Sequence, residues 1–284
     1  MNRANQEEIE IGIAGIRKLT EVIRTQYDYD ISVYAGTSLK RRISGIIIKN
    51  DFKNLDGLIL ALENRPQFFP IFQLQLSVNG TEFFRDPAFW RTFRDDICKT
   101  LRNNHMKIKI WIPGCSTGEE VITTAIALKE ANVYDKSVII ASDINKEIIE
   151  ESRKKIYTNN ILEISENNYR RFKEDESADF SKYCARQANG FAFADDLYQN
   201  VQYEVFNGGD HKSIKGINAI ICRNVFIYYT AQHQEKLLED FTGKLSFNGF
   251  LAIGNKENIT FCKDVKKYTL INESEKIYRK SVND

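Results

Sequence analysis

The segment Ile108-Lys-Ile-Trp-Ile112, followed by Pro113-Gly-Cys-Ser-Thr-Gly-Glu-Glu120, constrains this chain more than any other. A β-branched and aromatic run breaks into a loop holding Gly114 and Gly118, and a helical pattern from Val121 to Lys129 follows. In α/β proteins such a unit brings backbone N–H groups close to a nucleotide-like ligand. The loop ends on two acids. Glu119 and Glu120 would repel a pyrophosphate at a helix N-terminus, but they suit a ligand that carries positive charge.

From residue 77 onward, strand candidates alternate with helices. The strands are Ile108–Ile112, Val138–Ala141, Val201–Phe206, Ala219–Cys222 and Phe250–Gly254, and helices fit at 119–131, 145–155 and 231–245. This alternation predicts βαβ units and a mostly parallel sheet covered on both faces. Tyr268–Ile271 and Lys276–Lys280 read as a final antiparallel pair. The less regular stretch 157–200 carries Tyr169, Phe172, Phe180, Tyr183, Phe191 and Phe193, and it predicts a helix plus a small antiparallel insertion.

Residues 1–76 lack that alternation. Ile9, Ile13, Ile16, Leu19 and Ile23 recur at helical spacing. Thr37 or Ser38 is a candidate cap for a helix through Lys49, and Asp56 for a third through Leu62, before Pro66 and Pro70 punctuate the chain. The stretch holds ten Lys/Arg and nine Asp/Glu, so it is near neutral, but 38–53 sets Lys40, Arg41, Arg42, Lys49 and Lys53 against Asp51 alone. A solvated helix face is the plain reading of this segment. A docking face for an acidic partner helix is the functional one.

The bulk properties exclude several classes. A net charge of +1 gives no global case for nucleic acid. No apolar stretch of about 18 residues exists, so no membrane span is expected, and the polar start Met1–Glu10 is unlike a secretory signal. Five widely spaced cysteines without a C-x-x-C pair indicate free thiols in a reducing cytoplasm. With only three histidines, a histidine-built metal site is not expected.

The second informative element, Ser137-Val-Ile-Ile-Ala-Ser-Asp-Ile144, ends a buried strand on Asp143, 25 residues after Gly118. An acid at that tip is placed to accept from two ribose hydroxyls, although alone it would more often cap a helix. The glycine spacing is G-x-x-x-G and the acids follow it, which disfavours a nicotinamide dinucleotide. S-adenosylmethionine satisfies both elements, because it has adenosine, no phosphate, an ammonium and a sulfonium; a carboxylate beside the loop can pair with the ammonium. A third element, Asn79-Gly-Thr-Glu-Phe-Phe-Arg85, sets polar groups beside two phenylalanines and otherwise reads as a pinned linker. A fourth, Cys222-Arg-Asn-Val-Phe-Ile-Tyr228, follows a strand at the end where ligands sit in open α/β sheets.

Together Asn79-x-Thr-x-Phe-Phe-Arg85, Cys-Ser-Thr-Gly-Glu-Glu120, Ala-Ser-Asp-Ile144 and Cys-Arg-Asn-Val-Phe-Ile-Tyr228 resemble the CheR-type chemotaxis-receptor methyltransferases. Ala35-Gly-Thr-Ser-Leu-Lys-Arg-Arg42 and Gly249-Phe-Leu-Ala-Ile-Gly254 extend the resemblance over nearly the whole chain. It implies a Rossmann-like class I methyltransferase domain over 77–284, with an antiparallel C-terminal strand and a β insertion within about 165–200. A small all-α domain over 1–76 would precede it. The implied activity is methyl transfer from S-adenosylmethionine to glutamate side chains of chemotaxis receptors, leaving S-adenosylhomocysteine and using no metal. Asn79, Thr81, Arg85, Gly114, Glu120, Asp143, Asn207, Gly208, Arg223 and Asn224 would line the cofactor pocket. Arg85 and Tyr228 would lie nearest the transferred methyl, as the catalytic pair. Lys40, Arg41 and Arg42 would dock on receptor cytoplasmic helices, and the insertion binds a receptor tail peptide in some members. A cytoplasmic monomer that neither enters a membrane nor binds nucleic acid is expected. Rival readings are a methyltransferase with another protein or small-molecule acceptor, and a non-catalytic relative that binds the cofactor.

The chain departs from the family pattern at four places. Val121-Ile-Thr123 stands where Pro-Tyr-Ser is usual, Gly208-Gly209-Asp210-His211 where leucines are common, and Asn218 where an Asp is usual. Asn255-Lys256-Glu257-Asn258 replaces a His/Ser-Ser-Glu pattern.

Overall fold

The computed structural model describes residues 11–77, 81–103, 107–205 and 214–281. The chain groups into two compact units, Met1–Val78 with Ile227–Gln234, and Asn79–Phe226 with Glu235–Asp284. Residues 227–234, which the sequence places in the second domain, group with the helices.

In the helical unit, α1 (Ile13–Tyr27), α2 (Gly36–Lys49), α3 (Leu55–Asn64) and α4 (Phe69–Leu76) enclose Leu19, Ile23, Leu39, Ile43, Leu58, Leu62 and Phe72, all buried. Of the expected α1 stripe, Leu19 and Ile23 are buried and Ile16 is half-buried, whereas Ile13 is 67% exposed because it sits in the first turn, and Ile9 lies outside the described residues. The expected caps differ. Ala35 precedes α2 without a side-chain bond, leaving Thr37 and Ser38 inside its first turn. Asn54 caps α3 by accepting from Gly57, so Asp56 sits in the first turn instead. Pro70 falls at the start of α4, where a proline loses no helical hydrogen bond; punctuation and helix coincide there.

The larger unit is built on a seven-stranded sheet. Its strands are β1 (Ile108–Pro113), β2 (Ser137–Asp143), β6 (Val201–Val205), β7 (Ile217–Cys222), β8 (Leu245–Ile253), β9 (Tyr268–Asn272) and β10 (Ile277–Lys280), in the order β6-β2-β1-β7-β8-β10-β9. The first five run parallel, and β10 runs antiparallel to both β8 and β9. The α/β expectation with an antiparallel C-terminal strand therefore holds.

Alternate strand residues serve two cores. Ile110, Ile112, Ile139 and Ala141 join one with α7 (Glu119–Glu130), α8 (Lys146–Arg153) and α9 (Leu162–Lys173). Trp111, Val138 and Ile140 join the other with α10 (Ala231–Lys244), where the Trp111 and Phe241 rings meet edge to face at 5.2 Å. The aromatics of 157–200 also enter the first core. Phe83 and Phe84, fully buried, pack against Tyr157, Tyr169, Phe172, Phe180, Phe191 and Phe193. Over that core lie α5 (Pro87–Thr92), a π-helical turn at Phe93–Ile97 and α6 (Cys98–Arg102). A second antiparallel sheet, β3-β5-β4, is formed by β3 (Ile156–Tyr157), β4 (Cys184–Gln187) and β5 (Gly190–Phe193). Its first strand precedes the expected window of 165–200.

Two departures from the family pattern have structural counterparts. Val121 is fully buried in α7, and the Asn218 side chain accepts from the Lys109 backbone, joining β7 to β1. All five cysteines are free thiols.

Candidate functional site

The strand order reverses between β1 and β7, since β2 and β6 follow on one side of β1 while β7 and β8 follow on the other. Ligands of open α/β sheets bind at the carboxyl ends of strands at such a switch point. Gly114, just past β1, has φ of +73°, and a Cβ there would stand 3.2 Å from Val225, just past β7. The two loops therefore meet closely, which a side chain at residue 114 would resist.

The glycine loop is tied to the neighbouring strand. Gly114 and Cys115 both donate their backbone N–H to the Ser142 carbonyl, at 2.7 and 2.9 Å. Ser116 donates to Oδ2 of Asp143 at 3.1 Å, and Asn145 donates to Oδ1 at 3.1 Å. Asp143 does not cap α8; Asn145 does, accepting from Glu147 and Ile148. Each Asp143 oxygen thus keeps acceptor capacity. Burial pushes its carboxyl up, opposed by those backbone N–H groups. Beside it, buried Ser116 Oγ and Asn145 Nδ2 have no hydrogen-bond partner among the described residues. Buried polar atoms are rarely left unpaired, so a hydroxyl-bearing ligand is the natural complement of this corner.

Gly118 caps α7 with φ of +97°. A Cβ there would lie 2.3 Å from Ser152 Oγ and 3.0 Å from the Tyr157 hydroxyl. Behind it Glu119 is buried, accepts from the Thr117 hydroxyl at 2.6 Å, and is raised by burial to about 7.

Glu120 belongs to a second group. Its carboxyl is also raised to about 7, chiefly by burial, although Arg223 and then Arg85 pull it down while Glu257 and Asp86 oppose them. Arg223 is only 5% exposed; it donates to Asp86 Oδ2 at 2.6 Å and to the Arg85 carbonyl at 3.3 Å, and lies over the Phe89 ring at 4.2 Å. The Arg85 backbone is fixed further by Trp90 Nε1 at 3.0 Å. Its neighbours Phe84 and Asp86 have φ of +52° and +55°. For a bulky phenylalanine that backbone is an outlier, held here by full burial and by the Phe84 N–H donating to Thr123 Oγ1 of α7 at 3.1 Å. These turns fix the backbone on both sides of Arg85. Among the described residues the Arg85 side chain makes no ion pair within 4.0 Å, whereas that of Arg223 is committed to Asp86.

Asn224, with φ of +60°, donates its N–H to Glu257 Oε2 at 3.0 Å, and Gly254 donates to the same oxygen at 2.6 Å. Glu257, 3% exposed, thereby clasps the tips of β7 and β8. Sequence reasoning missed this role, because the residue lies in a stretch read only as a departure from the family pattern.

The structure brings Arg85, Gly114, Glu120, Asp143, Arg223 and Asn224 into the larger unit, around the ends of β1, β2 and β7. Thr81 is partly buried on the approach to Phe83. Asn79, Asn207 and Gly208 lie outside the described residues, and Tyr228 groups with the helical unit. Lys40 and Arg41 are exposed on α2, but Arg42 is half-buried.

Residues 79–277 match the family model described as CheR methyltransferase, SAM binding domain. The chain belongs to the CheR methyltransferase family. A protein of Pseudomonas putida named Cher3 is 31% identical over 266 residues, covering 94% of this chain and 96% of that one. A chemotaxis protein methyltransferase of Listeria innocua is 25% identical and covers 89% and 93% of the two chains. That of Salmonella typhimurium is 29% identical and covers 82% and 77%. This CheR-family chain is a methyltransferase that depends on S-adenosylmethionine. Among the described residues, no helix is long and apolar enough to cross a membrane.

Proposed function

We propose that this chain methylates glutamate side chains of chemotaxis receptors, giving glutamate methyl esters. The observation that supports a carboxylate acceptor is the Arg85 guanidinium, close enough for Glu120 to feel its charge yet in no ion pair within 4.0 Å among the described residues. The names of its relatives point to chemotaxis.

Asp143, with the unpartnered Ser116 Oγ and Asn145 Nδ2 beside it, would hold the ribose hydroxyls. Glu120 would face the cofactor ammonium, and Arg223 and Asn224 would close the pocket from the β7 side. Asn79, Asn207 and Gly208 join this set from the sequence alone. S-adenosylmethionine, when bound, supplies an electrophilic methyl on a sulfonium.

An ordinary glutamate, with a pKa of about 4.3, is already ionised near neutrality, so the chain need not remove a proton. In-line attack of carboxylate on methyl annihilates charge, so excluding water and aligning the reactants are the useful tasks. An arginine that gripped the nucleophile tightly would stabilise the ground state more than the transition state. Arg85 therefore orients a carboxylate, and Tyr228 lines the methyl region. Exposed Lys40 and Arg41 would meet acidic receptor helices.

The decisive experiment incubates the chain with methyl-labelled S-adenosylmethionine and receptor cytoplasmic fragments, then treats the labelled protein with mild base. Base-labile label supports carboxyl esters. Stable label means a different acceptor group, and no label with intact cofactor binding means a binding protein.

A further inference from the structure

The run Lys40-Arg41-Arg42 is divided by the structure. Lys40 and Arg41 face solvent, while Arg42 is turned inward and half-buried. Its guanidinium carbon stands 4.4 Å over the centroid of the Tyr228 ring, and its Nη1 donates to the Leu76 carbonyl at the end of α4. The backbone around that tyrosine is held by the same unit. Ala35 donates its N–H to the Tyr228 carbonyl at 2.8 Å, and Thr230 donates to the Val33 carbonyl at 2.8 Å. Tyr34 forms a β-bridge with Tyr229, their rings 5.4 Å apart. Residues 33–35 fix the peptide and Arg42 fixes the ring, so the helical unit sets the orientation of Tyr228.

We infer that Arg42 is a positioning residue for Tyr228. The inference rests on the assignment of Tyr228 to the methyl region. The pairing uses both properties of an arginine, a donor arm for the carbonyl and a flat cationic face for the ring. Lysine offers one or the other. Burial lowers the Arg42 pKa, and the nearby Tyr34 and Tyr228 oppose that shift, so the cation is held among aromatic rings away from water. A residue of this kind alters the rate of the bound complex more than its assembly.

The test measures kcat, acceptor KM and cofactor Kd for the full chain with a receptor cytoplasmic fragment. The variants are Arg42→Met, Arg42→Lys, Tyr228→Phe, Tyr228→Ala and the Arg42→Met/Tyr228→Phe double substitution. Arg42→Met is expected to lower kcat about tenfold, with cofactor Kd within about twofold of wild type. Added to Tyr228→Phe, it should cost little more, because both act on one group. Arg42→Lys should lose about threefold in kcat, and it carries the test if Arg42→Met does not fold. Normal kcat in Arg42→Met beside a crippled Tyr228→Phe, or losses that simply multiply in the double variant, would overturn the inference while leaving Tyr228 in place. Full turnover in both Tyr228→Phe and Tyr228→Ala would remove Tyr228 from the site, and the inference with it.

Discussion

The backbone N–H of Ser116 donates to Oδ2 of Asp143 at 3.1 Å, so the turn after β1 and the tip of β2 are one hydrogen-bonded object. Whatever binds the carboxylate also feels the glycine loop. Asp143→Ala is therefore expected to weaken S-adenosylmethionine binding by about 10- to 100-fold, roughly the worth of one or two charge-assisted hydrogen bonds. Calorimetry measures it directly. A wild-type dissociation constant would remove Asp143 from the ribose.

Glu120 gives the site a pH dependence whose sign can be worked out. Its ordinary pKa is 4.5, and burial raises it to about 7 in the folded chain. The folded state then binds more protons than the unfolded state between these values, so this group's contribution to stability is whole below 4.5 and is lost as pH rises towards about 7. Cofactor binding runs the other way, because a cationic ammonium favours the carboxylate. Affinity should rise as pH climbs through about 7, and Glu120→Gln should flatten that rise. Glu119, raised to a similar value, keeps part of the stability slope in the variant. Titrations at several pH values decide; an unchanged slope in Glu120→Gln would place the ammonium elsewhere.

Gly118→Ala combines a left-handed φ of +97° with a Cβ 2.3 Å from Ser152 Oγ. Backbone strain and overpacking together should lower stability by about 2 to 4 kcal/mol. Adding Ser152→Ala should relieve the overpacking but not the strain, so recovery in denaturant unfolding should be partial. Complete recovery would show that the dihedral costs nothing.

Glu257→Gln keeps an oxygen able to accept from both the Asn224 and Gly254 N–H groups but removes its charge, so both hydrogen bonds weaken. A loss of about 1 to 3 kcal/mol in urea unfolding is expected. The left-handed turn at Asn224 should loosen with it, weakening the cofactor complex. Unaltered stability and affinity would reduce Glu257 to a bystander.

Reversing charge at the exposed pair, Lys40→Glu with Arg41→Glu, should raise the acceptor KM at low salt and leave cofactor affinity unchanged. Equal losses in both would sink the docking role.

The inner strands were legible because their apolar runs between polar turns are buried on both faces, as β2 is at every position. β2 and β7 extend a residue or two beyond the expected runs, and β8 was underestimated most. It begins at Leu245 and carries Asn248 at φ of +60°, and that Asn-Gly pair reads locally as a turn. The ligand loop was legible from its glycines and acids. What the chain hid depends on contacts between distant residues. Arg42 looks like one charge in a basic run, and only tertiary packing shows it under Tyr228. Glu257 looks like a surface acid until the ends of β7 and β8 are brought together. Asn54 and Asp56 both suit a cap, and the helix start alone decides between them.

The strand order carries one more consequence. β10 is made after β9 yet lies between β8 and β9. β9 pairs with β10 alone, so residues 277–280 tie it to β8 and the rest of the sheet. The far edge of the sheet is therefore complete only when residues 277–280 are in place, and a chain cut before them would leave β9 without its strand partner.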